Sequence, residues 1–341
     1  MKKTLAIILS LLLVCGLVGT SVAEGQTYDI IYLTPSTASS FWSQVEVGIL
    51  QAKADMEKEL GVTINYSVVG PAEEQQTEEY IQAFENTIAQ QPAAILTATL
   101  AIDSTVPKAR EAHEAGIVLN FVNCGLGVGD DGAHQDYYNE FYYCSNDTIG
   151  ELAGQAFLAA MEKEGLSTES GTIGINMNVE NEALNHRIQA FRDHIAANAP
   201  GLTMTETYYN NNVVENSQTN AENIIASYED LIGMYSGNNI TADGVCNAIR
   251  AAGLKDGFVA VGVDSDDIEI AALRDGFLSA IIVQNAYDQG YKCMENAIRT
   301  LVEGKNPEAT QQVNCPPVIV TQDNIDSEEI QFMMNPTLAA E

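Results

Sequence analysis

Residues 93–122 read AAILTATLAIDSTVPKAREAHEAGIVLNFV. Two apolar runs, Ala93–Ala98 and Val118–Val122, flank a segment with helical periodicity, Val106–Ala115, which stops at Gly116. Glycine is the usual residue just past the end of a helix. Strands that are apolar throughout, without alternation, are buried on both faces of a parallel sheet. This stretch therefore predicts a strand–helix–strand unit of a doubly wound α/β fold.

The same alternation extends on both sides of this unit. A loop rich in Gly and Asp, residues 125–136, separates an earlier series of strands and helices from a later one. The predicted strands are 29–33, 62–69, 93–98 and 118–122 in the first series, and 141–144, 172–176, 202–209, 231–235, 259–263 and 278–283 in the second. A chain of 341 residues is too long for one ordinary core. We therefore expect two doubly wound parallel-sheet lobes.

The N-terminus carries an export pattern. Lys2-Lys3 precede an apolar run over 5–18, and Ser21–Ala23 supply the small residues that signal peptidase requires. The run is shorter than the roughly 20 apolar residues of a membrane-spanning helix. The sequence predicts a cleaved signal peptide over 1–23 and an extracytoplasmic mature chain. Lipid attachment at Cys15 stays open as an alternative.

Composition narrows the range of partners. Asp and Glu number 47 against 15 Lys and Arg, which gives a formal charge of −32. Such a surface repels nucleic acid and anionic lipid headgroups. We expect a monomer with no nucleic-acid partner and no strongly anionic ligand. The 46% hydrophobic content is that of a globular protein.

Neither the cysteines nor the histidines show the spacing of a metal site. The five cysteines after the leader lack a C-x-x-C pair, and His186 and His194 lie eight residues apart on one helix, which is typical of a solvated face. No phosphate-binding loop or hydrolase motif is present, so we expect no metal, no cofactor and no enzyme activity. Cys124 and Cys144 both follow predicted strands, and whether they pair stays open.

In open α/β sheets, ligands bind beyond the carboxyl ends of the strands. Amides, carboxylates and aromatic residues are frequent at these strand ends. The corresponding segments are 36–42, 122–125, 145–147, 178–187, 209–212, 237–239, 264–267 and 284–285.

Several of these segments together resemble a known family. Ser36–Trp42 ends in two aromatic residues, Ser145–Gly154 places Ser-Asn before Gly-Glu-Leu-Ala-Gly, and Gly237–Asn239 opens a helix. Val261–Asp264 reads Val-Gly-Val-Asp, and Ile281–Gln284 ends a strand in Gln. In this order and spacing the chain resembles the ribose/galactose-type periplasmic binding proteins, the type I solute receptors of bacterial ABC importers. The resemblance covers nearly all of the region from the first predicted strand onward.

The resemblance implies two lobes joined by a three-strand hinge. One lobe would comprise 28–146 plus 285–311, and the other 147–284 plus 312–330. It further implies ligand capture between the lobes and a membrane permease as partner. The ligand-binding residues that it implies are Phe41, Trp42, Asn123, Asn146, Asn185, Asn238, Asp264 and Gln284.

These residue types suit a neutral polyol. Flat aromatic rings cover the C–H faces of a sugar, and amides and carboxylates meet its hydroxyl edges. The family's Asp-Arg pair after the fourth strand is replaced by Val122-Asn123, and another family arginine falls at Asn185, two residues before Arg187. We therefore expect a monosaccharide or similar polyol that is not ribose bound in the usual way.

Other interpretations of the same residues stay open. Trp42 could belong to the core, Asp264 could cap a helix, and Asn146 and Gln284 could be hinge residues only. The same fold could serve a sensory receptor that presents its closed form to a chemoreceptor or sensor kinase. A secreted glycoside hydrolase would need a carboxylate pair such as Asp264 and Asp267.

Overall fold

A computed structural model describes residues 25–127, 132–179, 182–304 and 312–339. The predicted signal peptide over 1–23, Cys15 and the predicted hinge position near residue 311 lie outside these residues. Two six-stranded sheets organise the described chain, each covered by helices on both faces. The predicted α/β architecture with two doubly wound lobes is confirmed.

The first lobe contains an entirely parallel sheet. Its strand order is β2-β1-β3-β4-β5-β11. The strands are β1 (Thr27–Leu33), β2 (Thr63–Val69), β3 (Ala94–Thr97), β4 (Val118–Val122), β5 (Glu140–Tyr143) and β11 (Gln312–Asn314). Its helices are α1 (Ser40–Leu60), α2 (Thr77–Ala89), α3 (Ile102–Glu114) and α9 (Ala286–Glu303).

The second lobe repeats this plan with one antiparallel edge strand. Its order is β7-β6-β8-β9-β10-β12, and β12 runs antiparallel to β10. The strands are β6 (Thr172–Met177), β7 (Thr203–Tyr209), β8 (Leu231–Ser236), β9 (Val259–Val263), β10 (Ala280–Val283) and β12 (Val318–Val320). Its helices are α4 (Asn146–Glu164), α5 (Glu182–Asn198), α6 (Val214–Ser227), α7 (Asn239–Ala252), α8 (Asp267–Asp275) and α10 (Glu328–Met334).

The third connection between the lobes differs from its predicted position. Gln312 pairs with Phe141 and Asn314 with Tyr143, so residues 312–314 extend the first sheet. The chain reaches the second sheet only at Val318. The boundary predicted between 311 and 312 therefore moves to a point after Asn314. A three-residue strand that pairs along one edge only carries too little apolar pattern to be recognised in the sequence.

Two glycines allow α1 and α9 to pack at very short distance. A Cβ atom on Gly48 would lie 2.0 Å from the carbonyl oxygen of Tyr287, and one on Gly290 would lie 2.0 Å from that of Val45. Any side chain at either position would displace backbone. The close contact fixes α9, which follows the second lobe in sequence, firmly against the first lobe.

The C-terminal segment contacts both lobes. Ile330, Met333 and Met334 of α10 are buried in the core of the second lobe. The carbonyl oxygen of Met334 accepts a hydrogen bond from the Nε2 of Gln44 on α1 at 2.8 Å. Beyond the helix, the N–H of Ala339 donates to the side-chain oxygen of Gln51 at 2.7 Å. The last residues thus run from the second lobe back onto the first.

Candidate functional site

A cleft of about 440 Å³ lies between the two lobes, at the carboxyl ends of both sheets. Most residues at its wall lie in segments that follow strands, where parallel sheets place their ligand sites. Most of the candidates predicted from the sequence come together here. The cleft is lined by Phe41, Trp42, Asn123, Asn146, Asn238, Asp264 and Gln284.

Asn123, Gln284 and Asp264 form a chain of hydrogen bonds across the floor of the cleft. The Nδ2 of Asn123 donates to the Oε1 of Gln284 at 3.0 Å, and the Nε2 of Gln284 donates to the Oδ1 of Asp264 at 2.7 Å. The second oxygen of Asp264 accepts from the backbone N–H of Asn239 at 3.3 Å. The chain links the first lobe to the second and fixes the orientation of all three side chains.

Asp264 is held in an unusual conformation and environment. Its φ of 84° lies in the left-handed region, which is costly for a residue other than glycine and recurs at ligand sites. Burial raises the pKa of its carboxyl, and the nearby Arg187 opposes that rise. The capping interpretation of Asp264 is wrong: the side chain of Asp266 caps α8, accepting from the N–H groups of Ile268 and Glu269.

The arginine of the site is Arg187, which sequence reasoning did not select. Its guanidinium is buried, and its Nε donates to the Oδ1 of Asn146 at 3.1 Å while another nitrogen donates to the carbonyl oxygen of Gly237. Asn185, the predicted position, is half-buried and is not part of the cleft wall. Two residues correspond to about 200° of rotation around a helix, so the two side chains leave α5 on nearly opposite sides. The cleft wall therefore contains an arginine, two residues beyond the position at which none was found in the sequence.

Phe41 and Trp42 provide an apolar wall. Their rings meet edge to face with centroids 4.9 Å apart. Trp42 is 5% exposed and packs in the core of the first lobe, so the core interpretation and the cleft interpretation both hold. Its Nε1 donates to the Oε1 of Glu74 at 2.6 Å.

Glu74 is a second carboxyl of the cleft that sequence reasoning missed. It lies in the segment between β2 and α2. Burial raises the pKa of the Glu74 carboxyl, while the hydrogen bond from Trp42 lowers it. A polar residue beyond the end of β2 was the signal that could have identified it.

Asn238 serves two roles. Its Oδ1 caps α7 by accepting from the N–H of Thr241 at 3.1 Å, and its Nδ2 donates to the Oδ1 of Asn212 at 2.9 Å. Asn212 and its neighbour Asn211 both have a positive φ, near 57°. This asparagine-rich edge forms the second-lobe rim of the cleft.

Direct contacts hold the two lobes together around the cleft. The Nε2 of Gln75 in the first lobe donates to the carbonyl oxygens of Asn211 and Asn212, each at 3.2 Å. At the opposite side, the Nδ2 of Asn239 donates to the Oγ of Ser40 at 3.3 Å. The cleft is thus bounded by both lobes, which contact each other directly beside it.

Histidine and cysteine side chains were the other candidates that the sequence offered. His186 is exposed and pairs with Asp147, and within the described ranges no cluster of His, Cys, Asp and Glu has the geometry to hold a metal ion. Cys124 and Cys144 are thiols, and the Sγ of Cys124 donates to the Oδ1 of Asn123. No helix in the described part of the chain is both long and apolar enough to cross a bilayer.

Comparison with known proteins adds a family-level match. The model of the periplasmic binding protein domain matches residues 30–306. The D-apiose import binding protein of Paraburkholderia graminis is 22% identical over 301 residues, covering 87% of this chain and 89% of that protein. The D-ribose/D-allose-binding protein of Pseudomonas aeruginosa is 26% identical over 295 residues, covering 86% and 88%.

Solved structures agree with the fold. An ABC transporter solute-binding protein from Agrobacterium vitis with bound D-fucose superimposes with a TM-score of 0.77 at 28% identity, covering 91% of this chain and 100% of that one. A carbohydrate transporter solute-binding protein from Agrobacterium radiobacter in complex with D-arabinose gives a TM-score of 0.77 at 25% identity, covering 92% and 100%.

Proposed function

Because the chain belongs to the periplasmic binding protein family, we propose that it is the extracytoplasmic substrate-binding component of an ABC importer. It binds a monosaccharide or a similar neutral polyol in the cleft, and the lobes close on this ligand by a hinge motion. Its partners are that ligand and the permease of the importer. The names of the curated relatives, which include apiose, xylose, arabinose, ribose and allose, support a sugar ligand.

The observation that carries this proposal is the hydrogen-bonded chain Asn123–Gln284–Asp264 across a cleft between two lobes. Amides donate and accept while a carboxylate accepts, which matches the mixed character of sugar hydroxyls. Phe41 and Trp42 supply the flat apolar surface for the C–H face of the ring. The volume of about 440 Å³ falls in the range of small-molecule sites.

The charges of the cleft favour a neutral ligand. Arg187 is the only cationic side chain in the described cleft wall, and two of its nitrogens are already bonded to Asn146 and Gly237. Burial raises the pKa of both Glu74 and Asp264, and a carboxylate on the ligand would lie close to them. The cleft therefore disfavours negative charge, and a carboxylate on the ligand would incur the same desolvation cost, with Arg187 as the one cationic side chain of the described wall to offset it.

Calorimetric titration with a panel of neutral monosaccharides and one uronic acid tests the proposal. The emission of Trp42, the only tryptophan, reports binding independently. We expect saturable binding of at least one neutral sugar, weaker binding of the acid, and compaction of the protein in small-angle scattering. Absence of binding by every neutral sugar would contradict the proposal.

A matched pair of variants locates the site. Asp264→Asn removes a buried carboxyl of the cleft, whereas Asp267→Asn removes an exposed one on α8. We expect only the first variant to lose affinity. Turnover of a chromogenic glycoside that disappears in both variants would instead support a hydrolase that uses this carboxylate pair.

Export is part of the same proposal. Fractionation and mass spectrometry of the mature protein are expected to find an unmodified N-terminus at Glu24. A lipid-modified start at Cys15 would replace free export by membrane anchoring and leave the binding function unchanged.

A further inference from the structure

The carbonyl oxygen of Met334, the last residue of α10, is bonded outside its own helix. The last carbonyl groups of a helix have no intrahelical N–H to accept from. The Met334 oxygen accepts instead from the Nε2 of Gln44 at 2.8 Å and from the Oγ of Ser265 at 3.4 Å. Ser265 directly follows Asp264 of the cleft. A side chain of the first lobe thus caps a helix whose apolar face is packed in the core of the second lobe, beside the cleft.

A ring contact joins the same helix to the first lobe. Phe332 on α10 is 41% exposed, and its ring meets that of Tyr287 on α9 edge to face, with centroids 4.9 Å apart. Such ring pairs are favourable beyond the area that they bury. Because Gly48 and Gly290 let α9 pack directly on α1, Tyr287 belongs to a firmly packed helix pair. The contact therefore connects α10 to a rigid part of the first lobe.

The tail beyond α10 runs back along α1. The N–H of Ala339 donates to the Oε1 of Gln51 at 2.7 Å. Gln44 and Gln51 lie seven residues apart on α1, which corresponds to about 10 Å along the helix axis. The five residues 335–339 span at most about 17 Å when fully extended. While both of its ends stay attached, the tail therefore has only about 7 Å of slack.

We propose that residues 332–339 form a strap that limits how far the two lobes separate and slows the escape of ligand from the cleft; the second effect rests on the proposed function. The direct contacts at Gln44 and Tyr287 hold α10 against the first lobe. Once these contacts break, the tail attached at Gln51 limits the separation on this side to about 7 Å. Wider opening requires release of the tail.

Small-angle scattering of the protein without ligand tests the strap and needs no sugar. The test variant combines Gln44→Ala, Phe332→Ala and Gln51→Ala, which removes all three contacts with the first lobe. The matched control is Gln331→Ala, which removes a hydrogen bond from α10 to the carbonyl oxygen of Ile325 within the second lobe. We expect a larger radius of gyration for the triple variant and the wild-type radius for the control. Thermal unfolding of both variants monitors the fold.

Sugar release gives a second measurement on residues away from the cleft wall. We expect Phe332→Ala and Gln51→Ala each to release the most tightly bound monosaccharide about 2- to 10-fold faster, followed by stopped-flow Trp42 emission, and Gln331→Ala to release it at the wild-type rate.

Three outcomes would overturn the strap. They are a triple variant as compact as the wild type, a control that expands as much as the triple variant, and unchanged release from both single variants. If the wild type binds no sugar, the proposed function fails, and the scattering comparison still decides whether the strap limits separation of the lobes.

Discussion

Glu269 is the buried group whose replacement is expected to change the stability most informatively. It lies on α8, is fully buried, and neither carboxyl oxygen has a hydrogen-bond partner. Burial and the neighbouring carboxyls of Asp266, Asp264 and Asp243 raise its pKa well above the ordinary glutamate value. At pH values between the unfolded-state and the folded-state pKa, the folded protein therefore holds a proton on Glu269 that the unfolded chain releases.

Two effects of different origin should be separable at this position. A buried polar group without a partner costs about 1–3 kcal/mol at any pH. In addition, the unfolded chain loses its proton above about pH 4.3, whereas the folded state retains it. Because the folded-state pKa is higher than the unfolded-state pKa, the contribution of this proton to the free energy of unfolding is largest at acid pH. It declines as pH rises toward the folded pKa, by about 1.4 kcal/mol per pH unit.

Urea denaturation at pH 5 and pH 8, followed by circular dichroism, measures both effects. Glu269→Gln has the same shape but cannot ionise, so we expect a weaker pH dependence with little gain at pH 5. Glu269→Met also removes the unpaired polar atoms, so we expect about 1–3 kcal/mol of added stability at pH 5 and more at pH 8. A methionine variant less stable than the wild type at both values would refute this reasoning, as would an unchanged slope in both variants.

Three further outcomes follow from the structure. Burial and Asp266 raise the pKa of Asp243 to about 8. In the same denaturation assay, Asp243→Asn is therefore expected to reduce the loss of stability between about pH 4 and pH 8. An unchanged loss would contradict this expectation. The Cβ atom that Gly48→Ala adds would lie 2.0 Å from a backbone carbonyl oxygen. We expect this variant to lower the free energy of unfolding in urea by about 1–3 kcal/mol. A variant as stable as the wild type would show that α1 and α9 can separate freely. Gln75→Ala removes hydrogen bonds between the lobes. We expect sugar release, followed by stopped-flow measurement of Trp42 emission, to be about 2- to 10-fold faster in this variant. An unchanged release rate would exclude a role for Gln75 in holding the lobes together around the ligand.

The sequence predicted the elements that carry strong patterns. Apolar strands such as Val118–Val122, and helix α3, which stops before Gly116, were recognised because burial on both faces and the C-terminal glycine leave local signals. Helix α8 was expected only as the helix that Asp264 could cap, and its bounds were not predicted, because nine residues after an Asp-rich turn carry little periodicity. Strand β11 was missed because its register with β5 is a tertiary property.

The residues of the candidate site were likewise predictable only where they carry a local signal in the sequence. Seven of the eight residues that the family resemblance implied line the cleft, and all seven lie in strand-end segments, because chain direction in a parallel sheet determines which end of each strand faces the ligand. The prediction failed between Asn185 and Arg187, where the choice depends on helix phase rather than on strand ends. Glu74 also lies beyond a strand end, after β2, but its hydrogen bond from Trp42, which brings it into the cleft, is a tertiary contact.

The path of the C-terminal segment has a practical consequence for biosensor design. Met334 belongs to the core of the second lobe, yet Ala339 lies against Gln51 of the first lobe. A fluorescent domain fused after Ala339 would start beside the first lobe, where the N–H of Gly25 also donates to the carbonyl oxygen of Gly61. Donor and acceptor fluorophores attached at Gly25 and Ala339 would both be carried by the first lobe and would report little of the proposed hinge rotation. Insertion of one fluorophore next to α10 would place it on the opposite body and make that rotation visible.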